Sequence, residues 1–80
     1  MAVAWSDITP HLTGFANLAT ATQHGDPHVS VVMAYVEGDT IWIFTNAGSG
    51  KARRIASNGR VALMWRPGPE AYVYGTATLI

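Results

Sequence analysis

Residues 28–46, "HVSVVMAYVEGDTIWIFTN", decide the fold. β-Branched and aromatic residues dominate on both sides of Glu37-Gly38-Asp39, a short polar stretch that suits a tight turn. The run therefore predicts two strands joined as a hairpin. On the second strand Ile41 and Ile43 share one face and Trp42 and Phe44 the other, because side chains alternate along a strand. Both faces are apolar, so both need cover: one lines a core, and the other meets a helix or a second subunit.

Toward the N-terminus, "FANLATAT" (15–22) reads as a further strand, and "QHGDP" (23–27) as the turn that joins it to the strand beginning at His28. Ser6 and Asp7 predict a short helical turn over residues 7–13, kept brief by Pro10 and Gly14. Toward the C-terminus the period changes. In "SGKARRIASNG" (49–59), Ala52, Ile55 and Ala56 fall on one helical stripe, and Asn58-Gly59 supplies a stop. "RVALMWR" returns to strand and "PGPE" breaks it. "AYVYGTATLI" then begins another strand, with Gly75 marking a bulge or a close backbone approach. Strands joined mostly by tight turns pair antiparallel, and curling into a small barrel removes their edges. The expectation is a mainly β chain with five strands and one or two short helices.

The chain has 80 residues, enough for one domain over residues 1–80. Its last residues still read as strand, so that domain is expected to be C-terminally incomplete. Hydrophobic residues make up 49% and charged residues 12%, a balance that favours extensive burial and a homodimer. The formal net charge is zero, yet Lys51, Arg53, Arg54, Arg60 and Arg66 are its only cations, and together they form a local basic segment. There is no cysteine, which excludes disulfides, thiolate chemistry and cysteine-zinc sites. "MAVAWSDITPHL" lacks the charged and apolar regions of a signal peptide, and cytoplasm is the default expectation.

The segment "FTNAGSGKARRI" (44–55) carries the chemistry. Its "GSGK" invites comparison with a nucleotide-triphosphate loop, but that loop needs a glycine five positions before the Gly-Lys pair and a hydroxyl residue after the lysine. Thr45 and Ala52 stand there instead. A simpler site remains. A strand ends, Ser49 caps a helix, and the first helical turn offers unpaired N–H groups that suit a monophosphate. Lys51 adds a positive charge, and Thr45 and Ser49 add hydroxyls. Cations early in a helix oppose its macrodipole, a conflict that a bound anion would offset.

Other chemistry finds little support. His24, Asp26 and His28 lie in an ordinary turn composition rather than a metal-ligand pattern. No G-x-S-x-G elbow is present, and the acids at positions 7, 26, 37, 39 and 70 form no evident pair. A cofactor that carries hydride or electrons on its own ring asks little more of a protein than an anchor and an apolar slot. Trp42, Trp65, Tyr72 and Tyr74 are the aromatic stock for such a slot. An alternative is a non-catalytic β-barrel that binds single-stranded nucleic acid through the basic segment, with Trp42 or Trp65 as stacking platforms. A cofactor-free relic that only dimerises is a third reading.

The order "LATAT", Gly-x-Pro-His-Val at 25–29, "FTN" and "GS", then "KARRI", "RVALMW" and Y-x-x-G-x-A resembles the pyridoxamine 5′-phosphate oxidase-like flavin- and deazaflavin-binding proteins over residues 15–80. The resemblance implies a small antiparallel split β-barrel, dimeric, with FMN or a deazaflavin coenzyme at the subunit interface. It implies hydride transfer to or from a small organic molecule. Carried over by position, Phe44 and Thr45 line the cofactor, and Ser49, Gly50 and Lys51 meet its phosphate. Val32 and Met33 offer backbone contacts to the ring, and Arg53 adds positive potential. The oxidases proper carry an arginine and a lysine on the earlier strand, where this chain has Val29 and Ala34. Gly59 replaces a proline common before "RVAL", a change expected to affect only the turn.

Overall fold

The computed structural model describes residues 5–12, 14–46, 48–66 and 70–80. Pro67, Gly68 and Pro69, the expected break after the fourth strand, lie outside the described residues, as do Met1–Ala4, Thr13 and Ala47. Five strands run in the order β1 (Gly14–Ala21), β2 (Pro27–Glu37), β3 (Thr40–Ile43), β4 (Arg60–Trp65) and β5 (Ala71–Thr76). They form one curled sheet, half of a barrel, with spatial order β3-β2-β1-β4-β5 and antiparallel pairing throughout. A short helix α1 (Trp5–Ile8) and a 3-10 turn (Thr9–His11) precede it, and helix α2 (Gly50–Ser57) joins β3 to β4.

The turns follow from local chemistry. Gly25 and Gly38 take left-handed backbone, at φ +88° and +63°, in the β1–β2 and β2–β3 connections. Thr22 holds the first of these: its Oγ1 accepts from the N–H of Asp26 at 3.1 Å and its own N–H donates to the Asp26 carbonyl at 3.0 Å. The indole N–H of Trp5 donates to the Gly38 carbonyl at 2.9 Å and pins α1 to the second hairpin.

The inner face of the curl holds the core. Ala16, Leu18 and Thr20 of β1 alternate inward, beside Val32 and Ala34 of β2 and Leu63 and Trp65 of β4. Ile41 and Ile43 of β3 join this cluster, as the alternation predicts. Helix α2 covers one end with Ala52 and Ile55, and Leu12 packs in from the N-terminal side. Ala56, expected on the same stripe, is exposed. The nitrogen Nε of Arg54 donates to the buried Thr20 hydroxyl at 2.7 Å, and Asn58 Nδ2 donates to the Thr22 carbonyl at 3.1 Å, so α2 is stitched to β1.

The outer face is different. Phe15 pairs with Met33 across β1 and β2, and Val31 and Val29 follow beside Asn17 and Ala19. Tyr72 and Tyr74 stand beyond Met64 and Ala62. Phe15, Val29, Val31, Met33, Tyr72 and Tyr74 are all exposed, so this face presents a broad apolar surface.

Two glycines exchange the roles expected of them. A Cβ on Gly75 would meet nothing within 4 Å, and Gly75 pairs regularly with Val61, without a bulge. A Cβ on Gly59 would lie 2.8 Å from the Ala77 carbonyl oxygen, and the Gly59 carbonyl accepts from Ala77 N–H at 2.7 Å. The proline-to-glycine difference at Gly59 therefore reaches past its turn, into the packing of the chain after β5.

Candidate functional site

The site arises where β2 outruns its neighbour. Pairing of β2 with β3 ends at Ala34 and Ile43, so residues 31–33 of β2 have only β1 beside them. A strand edge of this kind presents backbone N–H and C=O groups outward. "TIWIFTN" was expected as one strand, but the ladder stops at Ile43, and Phe44, Thr45 and Asn46 turn away toward α2. The gap is a cleft of 390 Å³, with Val31, Val32 and Met33 on one side and Phe44, Thr45, Asn46, Ser49 and Lys51 on the other.

Local hydrogen bonds shape the far wall. Ser49 N–H donates to the Asn46 carbonyl at 3.0 Å and closes a turn. Ser49 has extended backbone, and its Oγ accepts from Ala52 N–H at 3.1 Å, the geometry of an N-cap. The carbonyl of Ser49 accepts from Arg53 N–H at 3.1 Å, beginning the helical ladder. Gly50 and Lys51, the first residues of α2, have no helical carbonyl behind them to receive their N–H groups. Thr45 Oγ1 and Ser49 Oγ stand 3.0 Å apart.

The first turn of α2 contains no acid. Of the three cations of α2 only Lys51 lines the cleft. Arg53 donates from a guanidinium nitrogen to the Gly48 carbonyl at 2.8 Å, and Arg54 is committed to Thr20. Gly50 is where Arg54 passes, since a Cβ there would stand 3.0 Å from its Nη1. The lining residues carry one positive charge, two hydroxyls and no negative charge, a donor set suited to an anion.

Six residues singled out from the sequence, Val32, Met33, Phe44, Thr45, Ser49 and Lys51, line this one cleft. Gly50 and Arg53 are not among its lining residues. Val31 and Asn46 line it as well and were missed, although Asn46 belongs to the "FTN" element. Val32 is buried, at 4% exposure, so its side chain belongs to the core. The ring of Phe44, a lining residue, stacks on that of Tyr35 with centroids 5.6 Å apart and planes 19° apart. Phe44 replaces the expected aromatic stock, because Trp42, Trp65, Tyr72 and Tyr74 are not among the lining residues. Trp65 is 3% exposed and part of the core, which removes it as a base-stacking platform.

Elsewhere, Tyr72 donates to Glu70 Oε1 at 2.5 Å on the surface. That hydrogen bond, together with the Glu70 charge, raises the tyrosine above its ordinary pKa. Among the described residues no His, Asp or Glu side chains gather in a group that could hold a metal ion, and no helix is long and apolar enough to cross a membrane.

The chain is 42% identical over 53 residues to a pyridoxine/pyridoxamine 5′-phosphate oxidase of Shewanella sp. (strain ANA-3), covering 62% of this chain and 25% of that protein. A second such oxidase, of Shewanella sp. (strain MR-7), is 43% identical over 47 residues, covering 58% of this chain and 22% of its own length. The chain thus spans about a quarter of the length of the curated relatives it matches. The crystal structure of the conserved hypothetical protein Rv2991 from Mycobacterium tuberculosis superposes with a TM-score of 0.79 at 23% identity, over 95% of this chain and 52% of that one, which identifies the fold as a split barrel. The family model described as pyridoxamine 5′-phosphate oxidase matches residues 10–80, and the chain belongs to that family.

Proposed function

We propose that the chain is an FMN- or deazaflavin-dependent oxidoreductase that transfers hydride to or from a small organic molecule and works as a homodimer in the cytoplasm. The observation that carries this reading is the cleft itself. It brings a turn with two hydroxyls and one ammonium, an apolar wall and an open strand edge together, in a chain of an oxidase family.

In this reading the N–H groups of Gly50 and Lys51 and the ammonium of Lys51 hold the cofactor phosphate. Ser49 Oγ accepts from Ala52 N–H and shares a hydrogen bond with Thr45 Oγ1, so one proton of the two hydroxyls is available to a phosphate oxygen. The edge of β2 at Val32 and Met33 offers backbone hydrogen bonds to the ring, and the exposed ring of Phe44 shields it from water. When bound, the cofactor supplies the hydride chemistry, which explains why the chain needs no acid-base team of its own.

The dimer follows from the outer face. Val31 and Met33 line the cleft and also belong to the exposed apolar surface, so a second copy packed on that surface completes the cleft wall. The departures at Val29 and Ala34 direct the reading away from vitamin B6 as substrate. Titration of the purified protein with FMN and with a deazaflavin coenzyme, followed by absorbance, tests the proposal. Binding is expected in the micromolar range or tighter. Lys51→Ala is expected to weaken it about tenfold or more, as fits one charge-assisted hydrogen bond. Failure to bind either cofactor, or binding unaffected by Lys51→Ala, rejects it.

A further inference from the structure

The three cations of α2 are not equivalent. Arg53 follows Lys51 by two residues, yet its guanidinium turns back to the Gly48 carbonyl, 2.8 Å away, instead of reaching the cleft. Gly48 sits within the Asn46–Ser49 turn, which is otherwise closed by one backbone bond, from Ser49 N–H to the Asn46 carbonyl. The same residue ties down the turn a second time, because Arg53 N–H donates to the Ser49 carbonyl. Two successive carbonyls of the turn are thus held by one residue of the helix. The Ser49 carbonyl shares its peptide with the Gly50 N–H, so the bond from Arg53 N–H fixes the plane that carries the first N–H of α2. Gly48 is exposed, and the peptide between it and Ser49 is held on both sides, at its carbonyl by Arg53 and at its N–H by the Asn46 carbonyl.

We propose that Arg53 is a positioning residue for the phosphoryl site. By donating to the Gly48 carbonyl it fixes the turn that presents the Ser49 hydroxyl and the first N–H groups of α2, and it does not itself contact the anion. The assignment rests on the phosphate reading given above and gives Arg53 a role beyond the added positive potential that the resemblance implies. A planar guanidinium suits the task, since its fork reaches a fixed carbonyl with less loss of side-chain freedom than a lysine ammonium incurs.

The experiment uses the full chain with Arg53→Met, Arg53→Lys and Lys51→Ala, FMN as probe and riboflavin as its phosphate-free control. Affinity is measured over a range of salt concentrations, and hydrogen exchange at the Ser49 amide is measured in the ligand-free protein. Arg53→Met is expected to weaken FMN binding about tenfold, the scale of one hydrogen bond to a charged group. Riboflavin affinity should stay unchanged, the salt dependence should match that of the unsubstituted chain, and Ser49 should exchange faster. Lys51→Ala is expected to flatten the salt dependence without altering Ser49 exchange, since it removes a charge that meets the phosphate. Arg53→Lys should recover affinity only as far as it restores Ser49 protection.

Full affinity in Arg53→Lys with Ser49 still unprotected, or a flattened salt dependence in Arg53→Met, would overturn the assignment in favour of simple charge. Undiminished FMN binding in Arg53→Met would remove it altogether. If Lys51→Ala weakens binding while Arg53→Met does not, the phosphate reading survives and only the Arg53 role fails. Lys51→Ala without effect rejects the phosphate reading itself.

Discussion

The hydroxyls of Thr45 and Ser49, on opposite sides of the turn between β3 and α2, lie 3.0 Å apart, and only that of Ser49 also caps the helix. Under the proposed phosphate reading, the two residues separate stability from FMN binding. Ser49→Ala removes the acceptor for Ala52 N–H and should cost about 1 kcal/mol of stability, the usual loss for an N-cap, as well as weakening FMN. Thr45→Val leaves the cap intact and should weaken FMN with little change in stability. Urea unfolding and cofactor titration of the same two variants check the separation.

Gly59→Ala is expected to destabilise the fold by about 1–3 kcal/mol, since the new methyl group would overlap the Ala77 carbonyl, a backbone atom with little freedom to yield. Gly75→Ala, with open space around it, should be neutral or stabilising by up to about 0.5–1 kcal/mol, because alanine restricts the unfolded chain. Chemical unfolding of the two variants in parallel makes each the control for the other.

Buried Thr20 and half-buried Arg54 form a hydroxyl-to-guanidinium bond between β1 and α2. Removing one partner strands the other. Thr20→Val and Arg54→Met should each cost about 1–3 kcal/mol, and the double variant should cost less than their sum. Strict additivity in a double-mutant cycle would mean that the contact adds no stability.

Tyr72 titrates above its ordinary value because it donates to Glu70 and faces that charge. The neutral phenol is the form favoured in the fold. Its small contribution is therefore present at neutral pH and is lost as pH rises through the unfolded value of about 10 toward the folded one. Glu70→Gln should lower the Tyr72 transition in an ultraviolet pH titration. An unchanged transition would show that the hydrogen bond does not persist in solution.

The hairpins were readable because β-branched runs and glycine-containing turns report on neighbours close in sequence. The same locality made Ser49 identifiable as a cap and Ala52 and Ile55 as the buried helical positions. What escaped reading was decided by distant residues. Nothing near Gly59 announces that Ala77 will lie against it, and nothing near Gly75 announces open space. The apolar character of Phe44 suits continued strand equally well, but α2 must leave the edge strand to pass over the core, and the ladder breaks where that departure begins. Arg53 was grouped with Lys51 because charge is visible in a sequence, whereas the direction in which a guanidinium folds is not.

β2 has eleven residues and β3 has four. The difference in length acts as a spacer: each further rung added to the shorter strand would zip shut part of the opening, and each rung lost would widen it. Ligand size can thus be tuned by sliding the point where two strands part, leaving the nearby helix start untouched.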